Sequence, residues 1–536
     1  MKYTKDRRWF PVMGMLLAAA AVFSLTAQEH AAKAARQADV NIWESEEGQY
    51  LFLPSWANLE AEKERYAQNE ELVIMQSKNL PSVEINTLSG SLERLRADSE
   101  AAESAAVTIT LADGTQHYAG RISEFSTRGN STWALDKKPF AFKLEEAVDL
   151  FGMGSDKSWV LLANGYDETG IRNSLAFWLA QQAGIEYTPE SQLVDLYCNG
   201  EYQGCYLLCE KVQADSGRVE IGNGFLLQRE IQNRYEIAVY LEGQAGFQTD
   251  RGDYYLIESP EIPTQEQVEK IRDLVQAAED AAFSEDGRHP ETGELFTEYL
   301  DMESFVNKYL LDEVTKNYDG GVTSAFYYVP EDEWKLHAGP PWDYDVCWGN
   351  CTLDEINSNP KGITELTDHI LGTQLYSALL EQELFYQQVI TDFEETWLPL
   401  LNRLSESVID EAAAYTGASL AMDRVRWSDM INRYQYYESY EDNIQYLKYF
   451  VDSRTAFLEE VWIGGTVYHK ITLVVGEYPW KKMYVKDGAV LGELPVPHLD
   501  GQIFVSWYKD EDTKYDPYRP VLEDMVLTSV WQEIDN

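Results

Sequence analysis

Along the chain, the spacing of apolar positions changes period. Between 81 and 144 it alternates: VEINTL, VTITLADG and GTQHYAGRISEFS carry apolar residues at every second position, which predicts strands with one buried face. Ala112-Asp113-Gly114 supplies a turn among them. LVDLYC and EYQGCYLLCEKV flank Asn199-Gly200 and predict a tight hairpin, since both turn residues tolerate left-handed backbone. Apolar residues then recur at i, i+3, i+4 over 264–283, 297–318 and most of 365–461, which predicts helices whose Leu, Tyr and Trp stripes are core. Shorter helices are expected at 59–68 and through Leu175-Ala176-Phe177-Trp178-Leu179-Ala180, the latter capped by Asp167 or Thr169. Strands first, helices later and one hairpin between them describe a two-lobed α+β domain. Ile463-Gly464-Gly465-Thr466 then breaks the last helix as a linker, and 467–531 returns to short strands as a separate unit.

Composition narrows the partners. The 536 residues include 91 Asp and Glu against 43 Lys and Arg, a formal net charge of −48, with 44% hydrophobic and 13% aromatic residues. That content excludes wholesale disorder, and the charge repels phosphate backbones and anionic lipid, so nucleic acid is not an expected partner. A basic protein or a metal-bridged ligand suits such a surface; so does simple solubility of an exported chain. The start reads as an export signal over 1–34: Lys2, Lys5, Arg7 and Arg8 precede an apolar run at 12–25, with Ala32-Lys33-Ala34 or Ala27 as cleavage site. A secreted or cell-surface location is therefore expected, with an uncleaved signal anchor as the alternative, and no later segment is apolar enough to span a membrane. Residues 35–80 form a polar lead-in. The five cysteines (Cys198, Cys205, Cys209, Cys347 and Cys351) lack zinc spacing with His, and buried free thiols are expected rather than a Cys347–Cys351 disulfide.

The densest chemistry lies in 317–350. Strands at 324–330 and 334–339 flank the acidic turn Glu331-Asp332-Glu333 and should pair antiparallel. The start of the first then lies beside the end of the second, which brings Asp319 into one small volume with Asp343 and Asp345. Clustered carboxylates repel unless a cation neutralises them, and a hard divalent metal carrying a phosphate is the usual answer. Earlier in the chain, the loop Arg128-Gly129-Asn130-Ser131-Thr132-Trp133 could expose backbone N–H groups to phosphate, with Lys143 on the following strand as a cation. Lys137-Lys138 reads as a solvated face. Arg172 falls in the first turn of a helix, against the dipole, and calls for an anion or a carboxylate partner.

RGNSTW, KKPFAFKL, KSWVLLAN, DETGIRN, NGEYQGCYLLCEKV, NYDGGVTS and AGPPWDYD occur in this order. As an ordered set they resemble the spore-coat-H (CotH-like) family of atypical protein kinases, over about 81–462. The resemblance implies a bilobal kinase-like fold, with a β-rich N-lobe and a helical C-lobe. It also implies ATP with Mg²⁺ or Mn²⁺, and phosphorylation of Ser on exported, basic Ser/Lys-rich protein segments. Carried over residue by residue, Arg128 and Lys143 would contact nucleotide phosphates, with Lys138 as the competing strand lysine. Arg172 would have a structural or phosphate-linked role, and Glu210 would pair with the lysine or face the nucleotide. Asp319 would be the catalytic Asp, and Asp343 and Asp345 would hold metal. A kinase catalytic loop carries a metal-binding Asn five residues after its Asp; here Ser324 stands there, beside the flexible Gly320-Gly321, which leaves room for a non-catalytic pseudokinase or surface-binding protein. Glycoside hydrolysis by a carboxylate pair is a third reading, opposed by the motif order.

Residues 467–536 resemble a small β-grasp repeat of the internalin type found in secreted bacterial surface proteins. The likeness rests on Gly488, Leu491-Gly492-Glu493-Leu494-Pro495, Ile503-Phe504-Val505-Ser506-Trp507-Tyr508 and the closing 524–531. Such repeats carry Gly before the Trp, where this chain has Ser506. A cell-wall or surface partner through this unit is the expectation it carries.

Overall fold

A computed structural model describes residues 79–129, 131–321, 323–351, 358–362, 375–427, 439–476, 478–499, 501–510 and 512–533, together with the backbone of 41–45 and 48–53. The expected signal at 1–34 and the helix at 59–68 lie outside the described residues. An antiparallel pair, β1 (Asn41–Ser45) and β2 (Gly48–Leu53), comes first. There follow β3 (Ser82–Thr87), α1 (Glu93–Ala97), β4 (Ala102–Thr110), β5 (Gln116–Thr127), β6 (Phe140–Asp149) and β7 (Ser155–Leu162). Next come α2 (Arg172–Gln182), β8 (Ser191–Cys198) and β9 (Glu201–Glu210). β3 to β9 close into a barrel in the order β3-β4-β5-β6-β7-β9-β8, sealed by a parallel β3–β8 pair.

The barrel follows from the alternation. On β6, Phe140, Phe142 and Leu144 point into the core while Lys143 and Glu145 point out, and β3 buries Val83 and Ile85 in the same way. The expected turns form. Gly114 has φ 86°, and Asn199 and Gly200 have φ 52° and 81°, both positive as a tight hairpin turn of this kind requires.

The chain continues through β10 (Phe225–Glu230), α3 (Gln232–Ile237), β11 (Gly246–Gln248), β12 (Tyr254–Ser259), α4 (Gln265–Ala282), α5 (Met302–Thr315), β13 (Ala325–Val329) and β14 (His337–Ala338). The strands form an antiparallel sheet in the order β11-β12-β10-β13-β14. α4 begins where expected, with Thr264 and Gln267 forming a reciprocal capping box. α5 starts later than its apolar period, because Asp301 caps it by accepting Ser304 N at 2.8 Å. The expected hairpin is present, but its second strand shrinks to two residues. Further helices are α6 (Leu375–Glu381), α7 (Glu383–Asp392), α8 (Leu398–Arg403), α9 (Ile409–Arg426) and α10 (Tyr440–Leu458). β15 (Tyr468–Val475), β16 (Tyr478–Lys486), β17 (Gln502–Tyr508) and β18 (Met525–Glu533) form a last sheet, ordered β16-β15-β18-β17 around a parallel β15–β18 pair.

The whole is a mixed α+β structure that divides into two compact units. One comprises Met1–Leu175, Pro189–Val212 and Ile409–Tyr446; the other comprises Ala176–Thr188, Gln213–Val408 and Leu447–Asn536. Among the described residues no helix is long and apolar enough to cross a membrane, and all five cysteines are free and buried.

Candidate active site

Sheet topology explains why carboxylates gather around Asp319. β13 is flanked by β10 on one side and β14 on the other, both antiparallel to it. The C-terminal ends of both neighbours therefore lie beside the start of β13, where the 319–324 loop enters. Arg229 pairs in register with Ala325, which places Glu230 next to that loop, and beyond β14 the Gly339 N–H bonds to Phe326 O at 2.9 Å as the chain runs on to Asp343.

Glu230 is buried and accepts Thr323 Oγ1 at 2.6 Å and Gln228 Nε2 at 2.7 Å, with Arg234 Nη1 at 3.6 Å. Arg229 reaches the opposite way, donating to Gly321 O at 2.6 Å and to Asp253 Oδ1 at 2.7 Å. Two successive residues of β10 thus hold both halves of the loop. Asn317 ties the loop to the turn at 343–345: its Oδ1 accepts Asp319 N at 3.4 Å and its Nδ2 donates to Asp343 O at 3.3 Å.

Electrostatics single out Asp319. Burial, then the neighbouring Asp343, push its carboxyl up to about 7; Arg234 opposes the shift and Glu230 adds to it. The structure thus brings together Asp319, Asp343, Glu230 and Arg234. Asp345 is buried beside them in sequence, its carbonyl accepting Asn350 Nδ2 at 2.6 Å. Among the described residues, no group of three or more His, Cys, Asp or Glu side chains is gathered as a ready-made cation site. Glu230 escaped the sequence reading because it looks like an ordinary strand end; the usable signal was a second strand delivering an acid to the same loop.

The basic residues belong to the other unit. Arg128 N donates to Pro139 O at 3.0 Å, so Arg128 and Lys138 share one end of the β5–β6 pair. Lys138 is half-buried, donates to Trp133 O and lies 4.3 Å from that ring's centroid. Burial lowers its pKa, Asp136 partly opposes this, and Arg96 adds to it. Lys143 is exposed on the outer face of the barrel, opposite Glu124 and Ser158. Glu210 ends β9 half-buried, with Oε2 accepting Glu190 N at 2.9 Å. Arg172 is buried in an ion pair with Asp167, whose other oxygen accepts Arg172 N at 2.9 Å. The carboxylate partner expected for a cation placed against the dipole is therefore Asp167, five residues upstream.

Lys137 corrects the expectation of a solvated lysine pair. It is 2% exposed, and its Nζ lies 2.6 Å from Asp423 Oδ1 and 2.8 Å from Cys205 O. Asp423 also accepts Cys205 N at 2.9 Å. Gly204 makes room for this: its φ is 120°, and a Cβ there would come within 2.1 Å of Asp423 Oδ1. Nothing local in KKPF announces the pair, because its acid comes from α9, far along the chain.

Residues 125–458 match the family described as CotH kinase protein. The chain belongs to that family. The match spans more than half of the sequence and takes in Arg128, Lys138, Lys143, Arg172, Glu210, Asp319, Asp343 and Asp345. CotH membership carries a kinase-like function, and the family in general uses ATP and a divalent metal. The match begins within β5, although β3 and β4 complete the same barrel. No curated protein matches the chain.

Proposed function

We propose that this chain is an exported, metal-dependent atypical protein kinase that transfers the γ-phosphate of ATP to Ser in basic, Ser/Lys-rich protein segments. The observation that carries the reading is Asp319, a carboxylate lifted to about 7 by burial and Asp343, in a member of a kinase family. A base poised near neutrality can take the hydroxyl proton as the oxygen attacks phosphorus, and ADP leaves carrying the former β–γ bridging oxygen. The repulsion between Asp319 and Asp343 fits a Mg²⁺ or Mn²⁺ ion, since such ions bind through one or two carboxylates shared with substrate phosphates. Asp343, with Asp345, would hold that ion, which when bound would neutralise phosphate charge. Asn317 holds the Asp319 backbone in the meantime, Arg234 supplies a nearby positive charge, and Thr323 is fixed on Glu230.

For the nucleotide phosphates, Arg128 and Lys138 are favoured over Lys143, because they share one end of the β5–β6 pair while Lys143 faces outward. Arg172 takes the structural role, held by Asp167, and Glu210 remains the acid for a lysine partner. The last sheet, with its parallel central pair between two antiparallel edges, supports a β-grasp-like repeat and a surface or cell-wall partner. The basic start at residues 2–8 supports export.

The test incubates residues 35–536 with γ-labelled ATP, Mg²⁺ or Mn²⁺ and a Ser/Lys-rich peptide, beside Asp319→Ala and Asp343→Ala. Metal-dependent label transfer that both variants lose is expected. Absence of transfer from the folded parent with either metal would overturn the reading in favour of a non-catalytic surface protein.

A further inference from the structure

The turn that carries the candidate metal-binding acids has an unusual backbone. Asp343 has φ 67°, a left-handed conformation that a non-glycine residue adopts at a cost and keeps only where its surroundings dictate it. Backbone bonds tie part of this turn to the end of α5: Tyr318 N to Val346 O at 3.1 Å and Trp348 N to Thr315 O at 2.6 Å. They lie beyond Asp343 and do not by themselves specify its conformation.

Tyr344, the residue between the two acids, is fully buried, and its hydroxyl donates to Asp312 Oδ1 at 2.6 Å. Asp312 lies inside α5 and is 1% exposed, and its Oδ2 is ion-paired with Lys308 one helical turn earlier. Lys308 is itself buried, with Nζ 5.7 Å from the Tyr344 ring centroid. A carboxylate so deep in a helix needs partners for both oxygens. Lys308 supplies one locally; the other comes from Tyr344, in the turn at 343–345.

We propose that Asp312 is a positioning residue: through the Tyr344 hydroxyl it pins the residue between Asp343 and Asp345 and holds Asp343 in its left-handed conformation. The proposal rests on the assignment of those two acids to metal binding. Lys308 acts one step further out, holding Oδ2 of Asp312 so that Oδ1 stays aimed at Tyr344. The arrangement joins a buried helix to a left-handed residue of the site.

The test uses residues 35–536 with Tyr344→Phe, which keeps the ring and removes only the hydroxyl, and Asp312→Asn, which keeps an acceptor for it. Hydrogen exchange without metal is expected to speed up about tenfold or more at 343–348 in Tyr344→Phe, with α4 and β12 unchanged, and less in Asp312→Asn. Mn²⁺ binding in the presence of ADP, read by electron paramagnetic resonance of the free ion, should weaken about tenfold in Tyr344→Phe, while KM for peptide stays within about twofold. Unchanged exchange at the turn would overturn the proposal. Faster exchange with unchanged Mn²⁺ affinity would reduce Asp312 to a structural residue and overturn it equally. A parent chain that binds no Mn²⁺ would overturn the metal assignment instead, and the exchange comparison would still decide whether Asp312 holds the turn.

Discussion

Two charge clusters, one in each unit, are built on opposite principles. Around Lys137 every charge is answered: the ammonium faces Asp423 and Cys205 O, and Asp423 also accepts a backbone N–H. Around Asp319 like charges face one another, and Arg234 offsets only part of the repulsion. The first cluster is complete without a ligand. The second has excess negative charge that a cation or a proton would relieve. Burial alone therefore does not mark a functional site; burial with unbalanced charge does.

The largest expected effect breaks the unbalanced cluster. Asp319→Asn should reduce phosphotransfer by about 10³-fold, within the range for losing a general base. Peptide KM should stay near the parent value, measured by steady-state transfer of label. In the parent, kcat/KM should rise with pH through an acid limb near 7 if Asp319 is the base proposed, because its carboxyl is raised to about 7. A flat profile between pH 5.5 and 8 would separate activity from this carboxyl.

The balanced cluster should respond in stability instead. Lys137→Met strands Asp423 without its cation and should cost about 3–5 kcal/mol in urea unfolding, as broken buried pairs do. Lys137→Met with Asp423→Asn should recover most of that, since Asn can still accept Cys205 N. If the double variant is no better than the single, the pair is not the source of the loss.

Glu279 offers an intermediate case. It is 1% exposed on α4, and burial, then Asp253, push it up to about 8 from 4.5, while Arg251 opposes. A raised acid binds more protons folded than unfolded, so its burden on stability grows as pH rises from about 4.5 to about 8 and is constant beyond. Glu279→Gln should therefore be more stable than the parent at pH 8, by about 4 kcal/mol, with the gap closing toward pH 5. Equal pH slopes for the two proteins in chemical unfolding would refute the shift.

How much of this was legible in the sequence depends on how far each partner lies along the chain. The Asn199-Gly200 turn, the helix at 264–283 and the 324–339 hairpin are local, and they formed as expected. The meeting of Asp319 and Asp343 followed from one hairpin. Arg172 was flagged by the helix dipole, and its answer, Asp167, was near enough to find. Lys137 was misread because its partner comes from α9, and Glu230 was missed because its place depends on β10 pairing with β13 across a long excursion. Pairwise alternation predicts which face a residue takes; it does not predict which distant strand or helix covers that face.

The smallest effect gives the sharpest contrast, because the residue that activity most needs should be one that stability does not. Asp319 ionises near 7 when folded and near 3.8 when unfolded, so the folded state is penalised progressively as pH rises between those values. Part of its surface stays open, and solvent discounts the effect to about 1–2 kcal/mol. Asp319→Asn removes the charge at nearly constant shape, so at pH 8 without metal it should melt a few degrees above the parent, and at pH 4 it should not. Mg²⁺ with ADP should stabilise the parent and narrow that gap, because it supplies the positive charge the cluster lacks. The same substitution in the balanced cluster, Asp423→Asn, should lower the melting temperature at pH 8, since it leaves Lys137 buried without its anion. Opposite signs from one chemical change would show that the two clusters differ in charge balance.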